Sequence, residues 1–283
     1  MRFGVVVVLF EPDGEILKNL MQYVRDDIVL CTVDNSREIS NIPYSCEYIH
    51  NANNGGIAGA FNKGINSLIS KGCDYIFTFD QDSILPNDFF SSMELFISEK
   101  KAKMVVPDFI DINSKTHAAF VKLTRWKYTV TREEEVTAFA ISSGMGFDVN
   151  IWNVIGPFTE KYIIDHVDTE LCLKAATHGI KIYINYNICL EHQIGNRSVH
   201  KFLGVTLKPN HHNFKRKYYI ARNGTHLSFK YLFEYPSYFY LNVLRVIHET
   251  LCVLLYEEDK KRKMKYIFKG LIHSILNKLG PVS

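Results

Sequence analysis

Cysteine is sparse and unpatterned in this chain. The six residues Cys31, Cys46, Cys73, Cys172, Cys189 and Cys252 contain no CxxC pair, which argues against a zinc knuckle or a thioredoxin-like site. Most lie inside apolar runs, where a free thiol behaves as a small hydrophobe. With no disulfide framework, a reducing, cytoplasmic setting is expected. An excess of one charge is also lacking. There are 33 basic and 30 acidic residues and a net charge of +3, which excludes bulk nucleic-acid binding. No uncharged apolar run approaches the ~20 residues of a spanning helix. The first apolar run meets Glu11 and Pro12 at once, so it reads as a buried strand and not as a secretory signal. Repeats and low-complexity tracts are absent. What is present is 283 residues, 47% of them hydrophobic, enough for one large domain with a core.

The pattern along the chain alternates. Val5–Phe10 and Ile28–Val33 are continuous, β-branched apolar runs, as strands buried on both faces require. Between them, Ile16–Tyr23 has helical character. A short third strand is expected at Cys46–Ile49. A glycine-rich turn at 53–64 runs into a helix ending near Ser70. Tyr75–Phe79 is another strand, and a helix follows from Pro86 and Asp88 to about Lys100. This order predicts an α/β, doubly wound, mostly parallel sheet flanked by helices, with its site beyond the strand C-termini. After Met104 come a strand at Val105–Pro107, a Ser142-Ser143-Gly144 segment and a helix through Ala176. Short strands follow at Ile180–Ile184 and Ile188–Leu190, and residues 218–283 read as helices.

Polar residues gather where that architecture puts a site. Asp80 and Asp82 end a strand, and two carboxylates so spaced suit Mg²⁺ or Mn²⁺, which take oxygen ligands. Asp34 ends the second strand, where it either accepts a hydrogen bond from a pyrimidine N3–H or starts a turn. The segment from Asn53 to Gly64 is either a phosphate cradle or a close-packing device; it matches neither GxGxxG nor a P-loop. Asp165 reads as a helix N-cap, and Asp168, one turn inside, as a general base. His192 ends a strand as a candidate metal or phosphate contact.

Taken in order, VVVVLFEP, DNS, NNGGIAGAFNKG, FDQDS, the SSG segment, YIIDHVDTELCLKA, LEHQIG and RKYYIARN resemble an inverting family 2 glycosyltransferase of the GT-A fold, over about residues 3 to 224. The DQDS and IDHVDTE forms most resemble bacterial rhamnosyltransferases of polysaccharide assembly. The resemblance implies a GT-A domain over 1–217, its nucleotide part about 1–103 and its acceptor and catalytic part about 104–217, with a helical appendage at 218–283. It implies donor contacts from Phe10, Asp34, Asn54, Gly55, Asp80, Gln81, Arg216 and Arg222, and metal ligands Asp80, Asp82 and His192. Asp168 corresponds to the catalytic base, with Asp165 the alternative. The implied reaction moves L-rhamnose from dTDP-L-rhamnose to a lipid-linked O-antigen or similar glycan. Its rivals are a UDP-hexose donor and a metal-dependent nucleotidyltransferase. Glu11 departs from the family, whose members often carry Asn there.

The C-terminus carries the aromatic excess. Eight aromatics lie between Phe229 and Tyr256, followed by the basic cluster Lys260, Lys261, Arg262, Lys263 and Lys265 and an amphipathic stretch. Two readings stand: peripheral attachment to an anionic membrane, or a helical pair packed on the domain or in a homodimer.

Overall fold

The computed structural model describes residues 1–111, 115–192, 198–202 and 204–282; the side chain of His192 lies outside the described residues. The first half runs β1 (Phe3–Leu9), α1 (Gly14–Asn19), β2 (Ile28–Asp34), β3 (Glu47–His50), α2 (Gly56–Ser70), β4 (Tyr75–Asp80), α3 (Phe89–Lys100) and β5 (Met104–Asp111). Then come short strands β6 (Thr116–His117), β7 (Phe120–Leu123), β8 (Tyr128–Thr131), β9 (Val136–Thr137) and β10 (Met145–Asp148). The chain continues through α4 (Val149–Ile155), a 3₁₀ turn at Glu160–Tyr162, α5 (Val167–Thr177) and β11 (Ile182–His192). A small hairpin of β12 (His200–Phe202) and β13 (Val205–Leu207) leads to α6 (Phe214–Lys230), α7 (Pro236–Tyr256) and α8 (Lys260–Ile275).

One large sheet organises these elements, in the order β3-β2-β1-β4-β10-β5-β11-β9 with β6 beside β5. The β3-β2-β1-β4 half is parallel throughout, and so is the β5–β11 pair. β10 is wedged antiparallel between β4 and β5. Alternation along β1 explains why its sequence is apolar without a break. Val6 and Val8 enter the core on one face, while Val5, Val7 and Leu9 enter the core on the other. The expected strands at 180–184 and 188–190 are one strand, β11, with a register shift between Asn185 and Cys189. A bulge of this kind breaks the apolar alternation and so imitates a gap in the sequence.

The C-terminal helices pack onto this body. α6 begins at Phe214 and runs across the expected boundary at 217/218. Leu227, Tyr231, Tyr238 and Leu241, from α6, α7 and the turn between them, lie in the same core cluster as Phe61, Leu171 and Ile184. α8 joins through a smaller cluster of Ala221, Val253 and Ile267. A buried ion network locks the three helices together. Lys217 Nζ lies 2.7 Å from both Glu249 and Glu257, and Lys263 Nζ lies 2.8 Å from Glu257. Lys263 is therefore no surface charge, whereas Arg262 sits over the Phe214 ring at 3.5 Å and stays exposed, so one of the five clustered cations is withdrawn into the fold.

Candidate active site

A cleft of about 1590 Å³ opens at the C-terminal ends of β1 and β4. Its first wall holds Phe10, Asn54, Gly55, Asp80, Gln81 and Asp82, all expected from the sequence. Gln81 bridges the two strand ends: the Phe10 N–H donates to Gln81 Oε1 at 2.7 Å, and Gln81 Nε2 donates to the Phe10 carbonyl at 3.2 Å. Asp80 and Asp82 are close enough to Tyr23 to act on it; burial first, and then these two carboxylates, push the Tyr23 hydroxyl well up. Under this wall Ser83 and Ser143 share a short hydroxyl contact that ties the β4 end to the SSG segment.

The glycine-rich turn serves the packing of two loops. Gly56 has φ +64°, and a Cβ there would stand 2.2 Å from the Ile163 carbonyl. The neighbouring Ile57 N–H donates to that same carbonyl at 2.9 Å. Only glycine allows this approach, which fixes the start of α2 against the acidic loop. Asn35 and Asn51, which the sequence reading passed over, brace the turn. Asn35 Nδ2 donates to the Gly56 carbonyl at 3.1 Å, and Asn51 Nδ2 donates to Asn35 Oδ1 at 2.6 Å.

Asp34 is not on the cleft wall. It is fully buried and accepts from Ser36 N–H at 2.8 Å, Ser40 N–H at 3.0 Å and Tyr48 Oη at 2.6 Å. Burial opposes its charge, but these hydrogen bonds outweigh burial and bring its pKa down to about 2. The residue expected to meet a base here organises the 34–40 turn.

The second wall is the acidic loop. Asp165 and His166 both adopt left-handed backbone, with φ of 62° and 60°, and His166, not Asp165, stands at the N-cap position of α5, without a side-chain capping bond. Freed from capping, Asp165 pairs with Arg216 Nε at 3.2 Å, so Arg216 does line the cleft but is engaged with a carboxylate. Burial raises the Asp165 pKa to about 6, with Arg216 pulling the other way. Asp168 also lines the cleft and accepts the Thr169 N–H at 2.7 Å; burial raises its pKa too. His166 between them is held neutral, its pKa lowered to about 3 by burial and by Arg245.

Arg222 is the clearest correction. It is fully buried, outside the cleft, and donates to the carbonyls of Lys161, Tyr162 and Gly280. A buried guanidinium with several donors is suited to holding a chain reversal, not a diphosphate. Its neighbour Asn223 completes the clamp, with Nδ2 lying 3.0, 2.9 and 2.9 Å from the carbonyls of Tyr162, Ile164 and Asp165. The Arg-Asn pair therefore positions the loop that carries both candidate bases. The third wall was also missed. α7 contributes Asn242, Arg245, His248 and Glu249, whose i, i+3, i+6, i+7 spacing in an apolar helix was the available signal.

A second acidic cluster lies elsewhere. Asp108, His117 and Cys189 come together on β5, β6 and β11, outside the cleft. Arg132 takes both Asp108 oxygens, at 3.0 and 2.6 Å, and His117 Nδ1 lies 2.9 Å from one of them. A guanidinium there disfavours a cation, and the group is read as a structural ion pair.

Comparison with known proteins agrees with this geometry. Residues 24–152 match the family model described as "Glycosyl transferase family 2". Over 283 aligned positions the chain is 28% identical to the dTDP-rhamnosyl transferase RfbF of Shigella flexneri, covering 95% of this chain and 93% of that protein. A stretch of the chain therefore resembles the family 2 glycosyltransferases, and nearly its whole length resembles a bacterial rhamnosyltransferase. Its fold is GT-A. The S. aureus TarS 1-349 structure in complex with UDP-GlcNAc superposes with a TM-score of 0.52 at 13% identity, covering 98% of this chain and 73% of that one. GalNAc-T7, crystallised with UDP, GalNAc and Mn²⁺, superposes with a TM-score of 0.53 at 12% identity over 71% of this chain, and the chain spans 44% of its length.

Proposed function

We propose that this protein transfers L-rhamnose from dTDP-L-rhamnose to a hydroxyl of a lipid-linked glycan in surface-polysaccharide assembly such as O-antigen synthesis, with inversion, at the cytoplasmic face of the membrane. The observation that carries this reading is one cleft with Asp80 and Asp82 on one wall and Asp165 and Asp168 on another. The similarity to RfbF along nearly the whole chain supports the donor.

Asp80 and Asp82 fit a divalent cation: both are cleft-lining carboxylates, and oxygen donors suit Mg²⁺ or Mn²⁺. When bound, the cation neutralises charge on the donor diphosphate and eases its departure. The rest falls to the chain. Phe10, Asn54, Gly55 and Gln81 line the cleft and are assigned to the nucleotide, and Arg216, across from them, to the diphosphate. Asp168 accepts the proton of the acceptor hydroxyl as its oxygen bonds to the anomeric carbon and the carbon–phosphate oxygen bond breaks. Burial raises the Asp168 pKa, which makes it a stronger base than an exposed carboxylate. One base opposite the leaving group gives inversion. His192 remains proposed as a further ligand.

The test is a panel of nucleotide sugars assayed for hydrolysis and transfer, with and without EDTA. Turnover of dTDP-L-rhamnose, lost in EDTA and in Asp82→Ala, is the expected result. Turnover of a UDP-hexose alone would replace the donor, and full activity in EDTA would remove the cation.

A further inference from the structure

The two faces of α7 differ in chemistry. Asn242, Arg245 and Glu249 face the cleft. On the opposite side of the helix, Tyr240, Val243, Ile247, Leu251 and Leu254 are exposed, at 56, 39, 49, 37 and 46%. At 100° per residue the centres of the two stripes are about 180° apart. α8 continues the outward theme with its own division. Lys261, Lys265, Phe268, Ile272 and Ile275 follow i, i+4, i+7, i+11, i+14 spacing, so they share one helix face, and all five are exposed. The N-terminal end of that face is cationic and its C-terminal end is apolar. A monomeric protein rarely leaves so many large apolar side chains together in water.

We propose that the outer faces of α7 and α8 form a docking surface for an anionic lipid bilayer, seating α7 flat between the membrane and the catalytic cleft. This deepens the reading of a lipid-linked acceptor and rests on it. Charge selects the occupant. Exposed Lys260, Lys261, Arg262 and Lys265 outnumber the neighbouring acids Glu258 and Asp259, so the surface complements lipid phosphates. A second copy of the same face would instead present the same cationic excess. α7 is long and apolar enough to span a bilayer by length and composition. Its inner stripe argues against that orientation, since Glu249 is paired with Lys217 and Asn210 Nδ2 lies 3.3 Å from Glu249. A helix with one polar, occupied face and one apolar face lies in the interface plane. The helix is about 10–12 Å across, so a glycan on a lipid diphosphate has only that distance to rise before its terminal hydroxyl enters the cleft.

The experiment is flotation of the full chain with phosphatidylcholine vesicles, alone and containing phosphatidylglycerol, at low salt. Wild type is expected to float with the anionic vesicles and to be released by high salt. Ile247→Glu with Leu251→Glu, and separately Lys261→Glu with Lys265→Glu, should each lose flotation. Both variants should keep an unchanged circular dichroism spectrum and unchanged donor hydrolysis in solution. All of these residues are exposed and none has been placed in the site. Wild type that stays unbound on anionic vesicles while turning over donor overturns the docking surface and leaves the transferase reading intact. Equal flotation on neutral vesicles overturns the choice of an anionic leaflet. A wild-type dimer in light scattering that Ile247→Glu with Leu251→Glu converts to a monomer assigns the face to a second copy and also overturns the proposal.

Discussion

Asp165→Asn offers a quantitative test of the acidic loop. The carboxyl is buried and its pKa is raised from 3.8 to about 6, with burial outweighing the Arg216 charge. The folded protein therefore holds this proton more tightly than the unfolded chain does. Stability from the neutral form is complete below pH ~4 and is lost as the pH rises through ~6. At about 1.4 kcal/mol per pKa unit, the ionised group costs the fold about 3 kcal/mol at neutral pH and above. Asparagine copies the shape of the neutral acid and cannot ionise, so it escapes that cost. By linkage, the advantage of the variant over wild type should grow by about 1.4 kcal/mol between pH 5 and pH 8, because at pH 5 part of the loss has already occurred. Urea unfolding of both proteins at the two pH values, followed by circular dichroism, measures this directly. An advantage that is the same at both pH values, or a variant less stable than wild type at pH 8, would show that the pair with Arg216 dominates and that burial does not.

Other outcomes follow from the same geometry. Asp168→Asn should lower kcat at least ~10²-fold with donor affinity retained, whereas Asp165→Asn should keep turnover; the reverse result in steady-state kinetics would exchange their roles. Asn223→Ala strips buried carbonyls of a shared donor, at about 1–3 kcal/mol for each group left unsatisfied, and should lower both the melting temperature and kcat. A variant with normal kcat would mean that the loop holds its shape through Arg222 alone. Lys217→Met leaves Glu249 and Glu257 facing each other around an apolar chain and should cost about 3–5 kcal/mol in denaturant melts.

The parallel half of the sheet was legible because its strands are buried on both faces and its polar residues sit at their ends. Val5–Phe10 and Tyr75–Phe79 could be read as strands from composition alone, and Asp80, Gln81 and Asp82 could be placed at the cleft from their position at the end of β4. The antiparallel insertion was not legible. β10 is four residues long, beginning next to a glycine, and what makes it a strand is the gap between β4 and β5, which no local pattern records.

The misplaced residues share a physical cause. Asp34, Arg222 and the expected N-cap Asp165 were each assigned by side-chain type and nearness to a strand or helix end. Their roles were decided by burial and by partners far along the chain. Asp34 meets Tyr48, Arg222 meets carbonyls about 60 residues away, and Asp165 meets Arg216. Asp34 and Arg222 are satisfied inside the fold and withdrawn from the cleft, whereas Asp165 and Arg216 pair with each other and still line it. The groups left facing the cleft are those whose backbone is held by a neighbour, as Asn223 holds the loop of Asp165 and Gly56 admits Ile163. The contribution of α7 extends this logic. Its aromatic and aliphatic excess signals burial or membrane, while the four polar residues that line the cleft are too few to change that signal. Their function appears only when the fold turns them toward Asp168. The helix that reads as the least catalytic segment of the chain therefore supplies one wall of the site.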